Sequence, residues 1–200
     1  MKIGFFYLLF IIPILTLASE MTPVISYGYG ENGNNVQDVV GGKPTWVRFG
    51  SGFFLMGGVN LVYSPTRPHQ FETQLTAGYK GILGIGPDES VSWTRFPIEL
   101  MSYYRNNVKS YRLGWGVSYE LGNHLSGTGG DNADQQLFDN ALGWIASAEY
   151  IAIVENDTKH LSVGIKYISI KYHSSTLNRE ADGSSYYFCF SLFTDHSTSF

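Results

Sequence analysis

The stretch that most constrains the fold is residues 110–122, SYRLGWGVSYELG, in which two kinds of side chain alternate without a break. One parity is small or charged and includes Arg112 and Glu120. The other parity carries the large apolar residues Tyr111, Leu113, Trp115, Val117, Tyr119 and Leu121. A period of two predicts a β-strand, because successive side chains of a strand point to opposite faces.

The polarity of this strand is the reverse of that in a water-soluble barrel, which turns its large apolar residues inward. We interpret the apolar row as facing lipid and the row with Arg112 and Glu120 as facing a polar interior. The stretch has 13 residues, which exceeds the roughly 9–11 that a tilted strand needs to cross a bilayer. It therefore predicts one strand of a transmembrane barrel.

Alternation of this kind, or a short apolar run, recurs along the chain and predicts eight strands. Their predicted ranges are 24–30, 46–63, 71–81, 91–105, 110–122, 138–154, 160–173 and 185–193. The connections alternate in length, with long ones at 31–44, 82–90, 123–137 and 174–184 and short ones at 64–70, 106–109 and 155–159. Outer-membrane barrels have short periplasmic turns and longer external loops. The predicted fold class is therefore all-β, an eight-stranded antiparallel up-and-down transmembrane β-barrel.

Pro97 lies inside the fourth predicted strand, where a central position normally excludes proline because it has no N–H to donate. A closed barrel has no edge strand that could take it. We therefore expect a bulge or an irregular pairing at this point.

The amino terminus predicts export. Residues 1–19, MKIGFFYLLFIIPILTLAS, have Lys2 and then a 15-residue apolar run interrupted by Pro13. The run is short for a membrane-spanning helix and is followed by small residues, which favours a cleaved signal peptide over an uncleaved anchor. We predict a signal peptide at 1–19, a barrel at 20–193 and a C-terminal tail at 194–200, with the mature protein in the bacterial outer membrane.

Charge and cysteine content exclude some functions. The net charge is −4 and the pI is about 5.7, so no basic surface is available to bind nucleic acid. The single Cys189 excludes an internal disulfide and a cysteine-based zinc site. No cofactor is predicted.

Three stretches also carry a family resemblance. VSWTRFPIELMSYYR, the following YRLGWGVSYEL and the earlier FETQLTAGYK resemble a family of small, mostly uncharacterised bacterial outer-membrane β-barrel proteins, over roughly residues 52–193. The resemblance implies an eight-stranded barrel in the Gram-negative envelope, with outer-membrane lipid and the barrel assembly machinery as partners, and supplies no catalytic residues. Chains of this kind usually end with an aromatic residue that closes the last strand, whereas here a seven-residue tail follows Phe193.

Charged residues collect on the inward parities of the predicted strands. The predicted interior network consists of Glu72, Lys80, Arg95, Glu99, Arg112, Glu120, Glu149 and Lys166. Buried charges need partners, and a barrel of eight strands is just wide enough to be filled by its own side chains. We therefore favour a plug of ion pairs, with a narrow ion or solute path as the alternative. Outward aromatic residues are predicted to lie at the membrane interfaces: Trp115, Tyr119, Trp144, Tyr150 and Tyr167.

One motif suggests catalysis. His173 and Ser175 have an H-x-S spacing that is similar to that of outer-membrane lipid A deacylases, in which a His activates the Ser and a carboxylate orients the His. Thr176 stands where that family has Asn, and Tyr187 stands where we would seek the carboxylate. Polar residues at a strand end are the favoured interpretation, and no catalytic residue is predicted.

A second motif suggests a metal. Asp131 and Asp134, in GGDNAD, could offer loop oxygens to Ca²⁺ together with Asp139. No complete calcium-loop motif is present, so a solvated acidic loop is favoured and no metal site is predicted.

The functional hypothesis is a non-enzymatic role at the cell surface, as an envelope-structural protein or in surface interaction through the outer loops. A lipid-modifying hydrolase is the first alternative. A soluble periplasmic ligand-binding barrel is the second, and it would turn the apolar rows inward and leave Arg112 and Glu120 outside.

Overall fold

The computed structural model describes residues 20–34, 48–63, 68–85, 90–128, 136–155, 159–175 and 178–194. This part of the chain forms eleven β-strands and has no helix long and apolar enough to cross a membrane. The strands are β1 Glu20–Glu31, β2 Gly52–Tyr63, β3 His69–Ile85, β4 Ser90–Asn106, β5 Tyr111–Thr128, β6 Gln136–Leu137, β7 Ala141–Glu155, β8 Lys159–Ser169, β9 Lys171–Ser174, β10 Arg179–Asp182 and β11 Ser185–Thr194.

Eight of these strands close into a barrel. β1, β2, β3, β4, β5, β7, β8 and β11 pair antiparallel in chain order, and β11 returns to pair with β1. Following paired residues once around the barrel from Glu20 leads back to β1 at Gly30, ten residues further on. A stagger of this size means that the strands are strongly tilted to the barrel axis. The predicted eight-stranded up-and-down barrel is confirmed.

The two ends of the barrel differ. We call the end with the short connections 64–68, 107–110 and 156–158 the turn end, and the opposite end the loop end. At the turn end, two neighbouring connections are joined, because Asn107 N donates to Pro68 O over 3.0 Å. At the loop end, β6 adds to β5, and β9 and β10 form a separate small hairpin.

Side-chain burial alternates along the strands with the predicted polarity. On β5, Arg112 and Glu120 are 0% and 1% exposed, whereas Trp115 on the other parity is 56% exposed. The large apolar residues therefore face outward and the charges face inward. This is the opposite of what the soluble ligand-binding barrel requires.

The strands are longer at the loop end than predicted. β3 continues to Ile85 and β4 begins at Ser90, so the predicted loop 82–90 is wrong for most of its length. β5 continues to Thr128, into the predicted loop 123–137.

A bulge explains why the alternation of side chains did not predict the last residues of β5. Gly122 and Asn123 together stand opposite Arg95, and Gly122 has the positive φ of +58° that suits a glycine. The extra residue reverses the parity of β5, so that Asn123 and Leu125 are buried above it. The irregularity expected near Pro97 is therefore confirmed, and its extra residue lies on the neighbouring strand.

Other boundaries also differ from the prediction. β2 begins at Gly52 and not near residue 46, because residues 48–51 turn inward and bury Phe49 completely. The predicted loop 174–184 contains β10, which pairs with β9. β1 begins at Glu20, four residues before the predicted 24, and β11 includes Thr194, the first residue of the predicted tail.

Candidate functional site

The candidate site is the charged interior of the barrel and the structure that covers it at the loop end. All eight charged residues predicted for the interior are buried, none being more than 4% exposed. A ninth charged residue, Arg105, is also buried there. Because Arg105 stands on the inward parity of β4, the sequence could have placed it in the predicted interior network. The nine form two clusters, one nearer each end.

The turn-half cluster consists of Glu72, Arg105, Arg112 and Glu149. Arg112 donates from Nε and Nη2 to Glu149 Oε2 over 2.9 and 2.7 Å, and its Nη1 lies 3.5 Å from Glu72 Oε2. Arg105 donates to the other oxygen of Glu72 over 3.2 Å. Ser162 also donates to Glu149. These contacts connect β3, β4, β5, β7 and β8 across the interior.

The loop-half cluster consists of Lys80, Arg95, Glu99, Glu120 and Lys166. Lys80 Nζ lies 2.7 Å from Glu120 and 3.5 Å from Glu99, so one ammonium bridges two carboxylates. Lys166 donates to the second oxygen of Glu99 over 2.8 Å. Arg95 Nε lies 3.9 Å from Glu120. Every charged residue of both clusters therefore has an oppositely charged partner within 4.0 Å, as buried charges require.

Arg95 also anchors residues 48–51, which we call the cap segment. Its two Nη atoms donate to Phe49 O over 2.6 Å and to Ser51 O over 2.8 Å. Trp93 Nε1 donates to Phe49 O over 3.0 Å, and Tyr187 OH donates to Gly50 O over 2.7 Å. Three consecutive carbonyls thus turn inward, and each is satisfied by a side chain from a barrel strand.

An aromatic cluster fills the interior beneath the loop end. Its members are Phe49, Trp93, Phe138 and Tyr172, with ring centroids 5.1 to 6.3 Å apart. Tyr172, on β9, donates its hydroxyl to Glu120 and accepts from Arg95 Nη1, which connects this cluster to the charges below. Burial raises the pKa of the Tyr172 phenol well above its usual value, so the phenol keeps its proton as a donor.

The sequence analysis did not predict the cap segment or the aromatic cluster. Trp93 stands on the inward parity of β4 and could have been found, but Phe49 and Phe138 precede the strands β2 and β7 and follow no alternation. Only the folded chain brings them together.

Outward aromatic residues form two belts. The turn-end belt consists of Tyr63, Phe71, Tyr104, Tyr111 and Tyr150. The loop-end belt consists of Phe53, Tyr79, Phe96, Trp144, Tyr167 and Tyr186, with neighbouring rings 4.7 to 5.8 Å apart in two runs.

Of the predicted interface residues, Trp144 and Tyr167 lie in the loop-end belt and Tyr150 in the turn-end belt. Tyr119 stands opposite Ile98 and Leu142 near the loop-end belt, and Trp115 lies between the belts.

His173 and Ser175 lie at the loop end and do not form a nucleophile–base pair. Ser175 Oγ donates to the carboxylate of Asp139, over 2.8 Å to Oδ1 and 2.6 Å to Oδ2. His173 is exposed and stands opposite Glu180 in the β9–β10 hairpin. In the described part of the chain, no hydrogen bond joins the side chains of His173 and Ser175.

The metal candidates Asp131 and Asp134 lie outside the described residues. Within the residues that are described, no group of three or more His, Cys, Asp or Glu side chains is placed to hold a metal ion.

No protein-family model matches the sequence, and no curated protein matches it. Among solved structures, the chain is similar to the attachment invasion locus protein Ail of Yersinia pestis, solved in complex with the heparin analogue sucrose octasulfate. The identity is 10%, 88% of this chain and 99% of Ail are covered, and the TM-score is 0.46. Neisserial surface protein A is 11% identical, with 87% and 95% covered and a TM-score of 0.43. Outer membrane protein OprG of Pseudomonas aeruginosa is 8% identical, with 90% and 98% covered and a TM-score of 0.40. The likeness concerns general barrel architecture.

Proposed function

We propose that this protein is an integral outer-membrane β-barrel whose interior is closed by its own side chains. Its role is non-enzymatic, in envelope structure or in surface interaction through the loop end. The turn end faces the periplasm and the loop end faces the exterior, after removal of residues 1–19 as a signal peptide.

The observation that carries the proposal is how the charges are distributed. In the described strands, no Asp, Glu, Lys or Arg occupies an outward position between the two aromatic belts. The charged residues of the strands are either among the nine inside or close to a strand end, as with Glu31 and Lys159. A surface in water would not need this exclusion, whereas a charge facing lipid costs about 2–4 kcal/mol at the bilayer midplane.

The spacing of the belts supports the same proposal. On β3, Phe71 and Tyr79 are eight residues apart, which is ~26 Å along the strand and ~20 Å along the axis at a tilt of about 40°. The apolar band of such barrels is about 25 Å tall and is flanked by aromatic girdles.

Side-chain packing supports a closed interior. An eight-stranded barrel has room for little more than its own side chains. Here the two clusters join charges from opposite walls, as in the 2.8 Å bond between Lys166 on β8 and Glu99 on β4. The cap segment and the aromatic cluster cover them at the loop end.

A lipid-modifying hydrolase is not favoured. Ser175 is held by Asp139, and no hydrogen bond joins the His173 side chain to a nucleophile among the described residues. The His173→Ala variant should therefore leave lipid A acylation unchanged, as measured by mass spectrometry of lipid A from cells that express each form. A loss of deacylated lipid A with this variant would favour the hydrolase.

The first test of the proposal is gel mobility of the outer-membrane fraction, with and without boiling in detergent. We expect the protein in that fraction, with a mobility that changes on heating. Recovery in the soluble periplasmic fraction without a heat-dependent shift would refute the membrane assignment.

The closed interior is tested separately in planar lipid bilayers. The wild-type protein should give no steady conductance at 1 M KCl. Stable single-channel steps from the purified, heat-modifiable protein would contradict a closed interior while leaving the membrane location intact.

A further inference from the structure

The outward face of the barrel is apolar or aromatic almost throughout, but one patch on β3 and β4 differs. Thr73 and Ser102 face outward and are directly paired across the two strands. In the described strands, they are the only Ser or Thr at outward positions between the two belts. Neither hydroxyl has a hydrogen-bond partner among the residues that the structure describes. In a hydrocarbon environment, a hydroxyl without a partner is unfavourable.

A second polar pair lies just below, at the turn end. The Tyr104 hydroxyl and His69 Nδ1 are 2.8 Å apart, and the two rings are close to parallel, with an interplanar angle of 13°. This contact occupies Nδ1 of the exposed imidazole, and Nε2 has no hydrogen-bond partner among the described residues. Lys109 is exposed on the adjoining turn, whose Asn107 is bonded to the residue before His69.

The two pairs lie at different depths on one surface. Tyr104 and Ser102 are two residues apart on β4, which is about 7 Å along the strand. The polar region of one bilayer leaflet is ~5–8 Å thick. The lower pair therefore lies at the level of the headgroups, and the two hydroxyls lie at the level where acyl chains are esterified to glycerol.

We propose that a diacyl glycerophospholipid of the periplasmic leaflet docks on this patch. Its phosphate contacts His69 and Lys109, and its ester carbonyls accept hydrogen bonds from Thr73 and Ser102. Ester carbonyls are the acceptors that a bilayer offers at this depth, because the acyl chains below them offer none. The inference rests on the proposed function, and it adds a defined partner at a defined place.

The test uses the full-length mature barrel in detergent, analysed by native mass spectrometry with two probes. One probe is diester phosphatidylglycerol, and the other is its diether analogue with the same headgroup and chain length. We expect the wild type to retain one lipid and to prefer the diester by about tenfold. This ratio corresponds to ~1.4 kcal/mol, which two hydrogen bonds can supply.

The informative variant is Thr73→Val with Ser102→Ala, which removes both hydroxyls from an outward face while the interior stays intact. The preference for the diester should fall to about onefold in this variant. Tyr150→Phe is the matched control, because it removes a phenol from the same belt on β7, two strands beyond β4, and it should keep the wild-type preference.

The inference fails if the wild type does not discriminate between the probes, or if the double variant still does. It also fails if Tyr150→Phe loses the preference equally, since that would indicate non-specific boundary lipid. A heat-dependent gel shift on the same samples separates these results from failure of the membrane assignment. A protein that shows no shift and is recovered in the soluble periplasmic fraction refutes the membrane assignment itself.

Discussion

The two charge clusters of the interior use the same chemistry for different purposes. In the turn-half cluster, Arg112 joins Glu149 and Glu72, and every contact runs from one barrel strand to another. In the loop-half cluster, Arg95 lies 3.9 Å from its carboxylate partner and gives both Nη atoms to carbonyls of the cap segment. The first cluster fastens strands only to one another, whereas the second also fastens a loop to the strands. The forked guanidinium suits both tasks, because its donors reach two acceptors at once.

The largest effect should come from Arg112→Ala. Removing this guanidinium leaves Glu149 and Glu72 buried without their shared partner, and the free energy of unfolding should fall by about 3–5 kcal/mol. The measurement is urea unfolding in lipid vesicles, followed by tryptophan fluorescence. Leu113→Ala, its outward neighbour on β5, is the control and should cost clearly less. Equal losses would mean that the cluster does not fasten the strands.

Arg95→Ala should separate the two clusters. We expect a smaller loss of global stability, about 1–3 kcal/mol, because the lost partners are mainly backbone carbonyls that loop movement can expose to water. The rate of tryptic cleavage after Arg48, within the cap segment, should rise at least tenfold, measured on the folded barrel. Arg112→Ala should leave that rate nearly unchanged below its unfolding transition. If both variants accelerate cleavage equally, the distinction between the clusters is lost.

The smallest effect should come from a pair outside the barrel. Lys171 and Glu180 lie 3.9 Å apart on the β9–β10 hairpin, with side chains 75% and 66% exposed. Solvent screens such a pair, so Lys171→Ala should change the free energy of unfolding by less than about 0.5 kcal/mol. A loss above ~1 kcal/mol in the same urea assay would show that the hairpin contributes to the stability of the barrel.

Periodicity predicted the fold where local sequence and tertiary environment agree. Alternation on β5 and β7 is regular, because each strand has one face toward the interior and one outward over its whole middle portion. It failed at the bulge of Gly122, where one extra residue reverses the parity. It also failed at residues 48–51, where apolar character reflects insertion of Phe49 and not a strand.

The candidate site, like the fold, was predictable only in part. Parity placed the eight charged residues inside, and no property of the sequence indicated which cation would bind which carboxylate. Arg112 and Glu149 stand on paired positions, but Lys80 and Glu120 are joined across the interior and are not neighbours in the sheet. Such pairs depend on the stagger of the barrel, which is a property of all eight strands together.

The sequence by itself determined that this chain forms a barrel with charges inside and apolar residues outside, because side-chain alternation is a local consequence of strand geometry. It also determined the number of barrel strands and the end at which the connections are short. The tertiary structure alone decided the partners of the buried charges, the inward turn of the cap segment and the meeting of Thr73 with Ser102 on one outward patch. Those contacts join residues distant in the chain, and strand register together with closure of the barrel sets which of them meet.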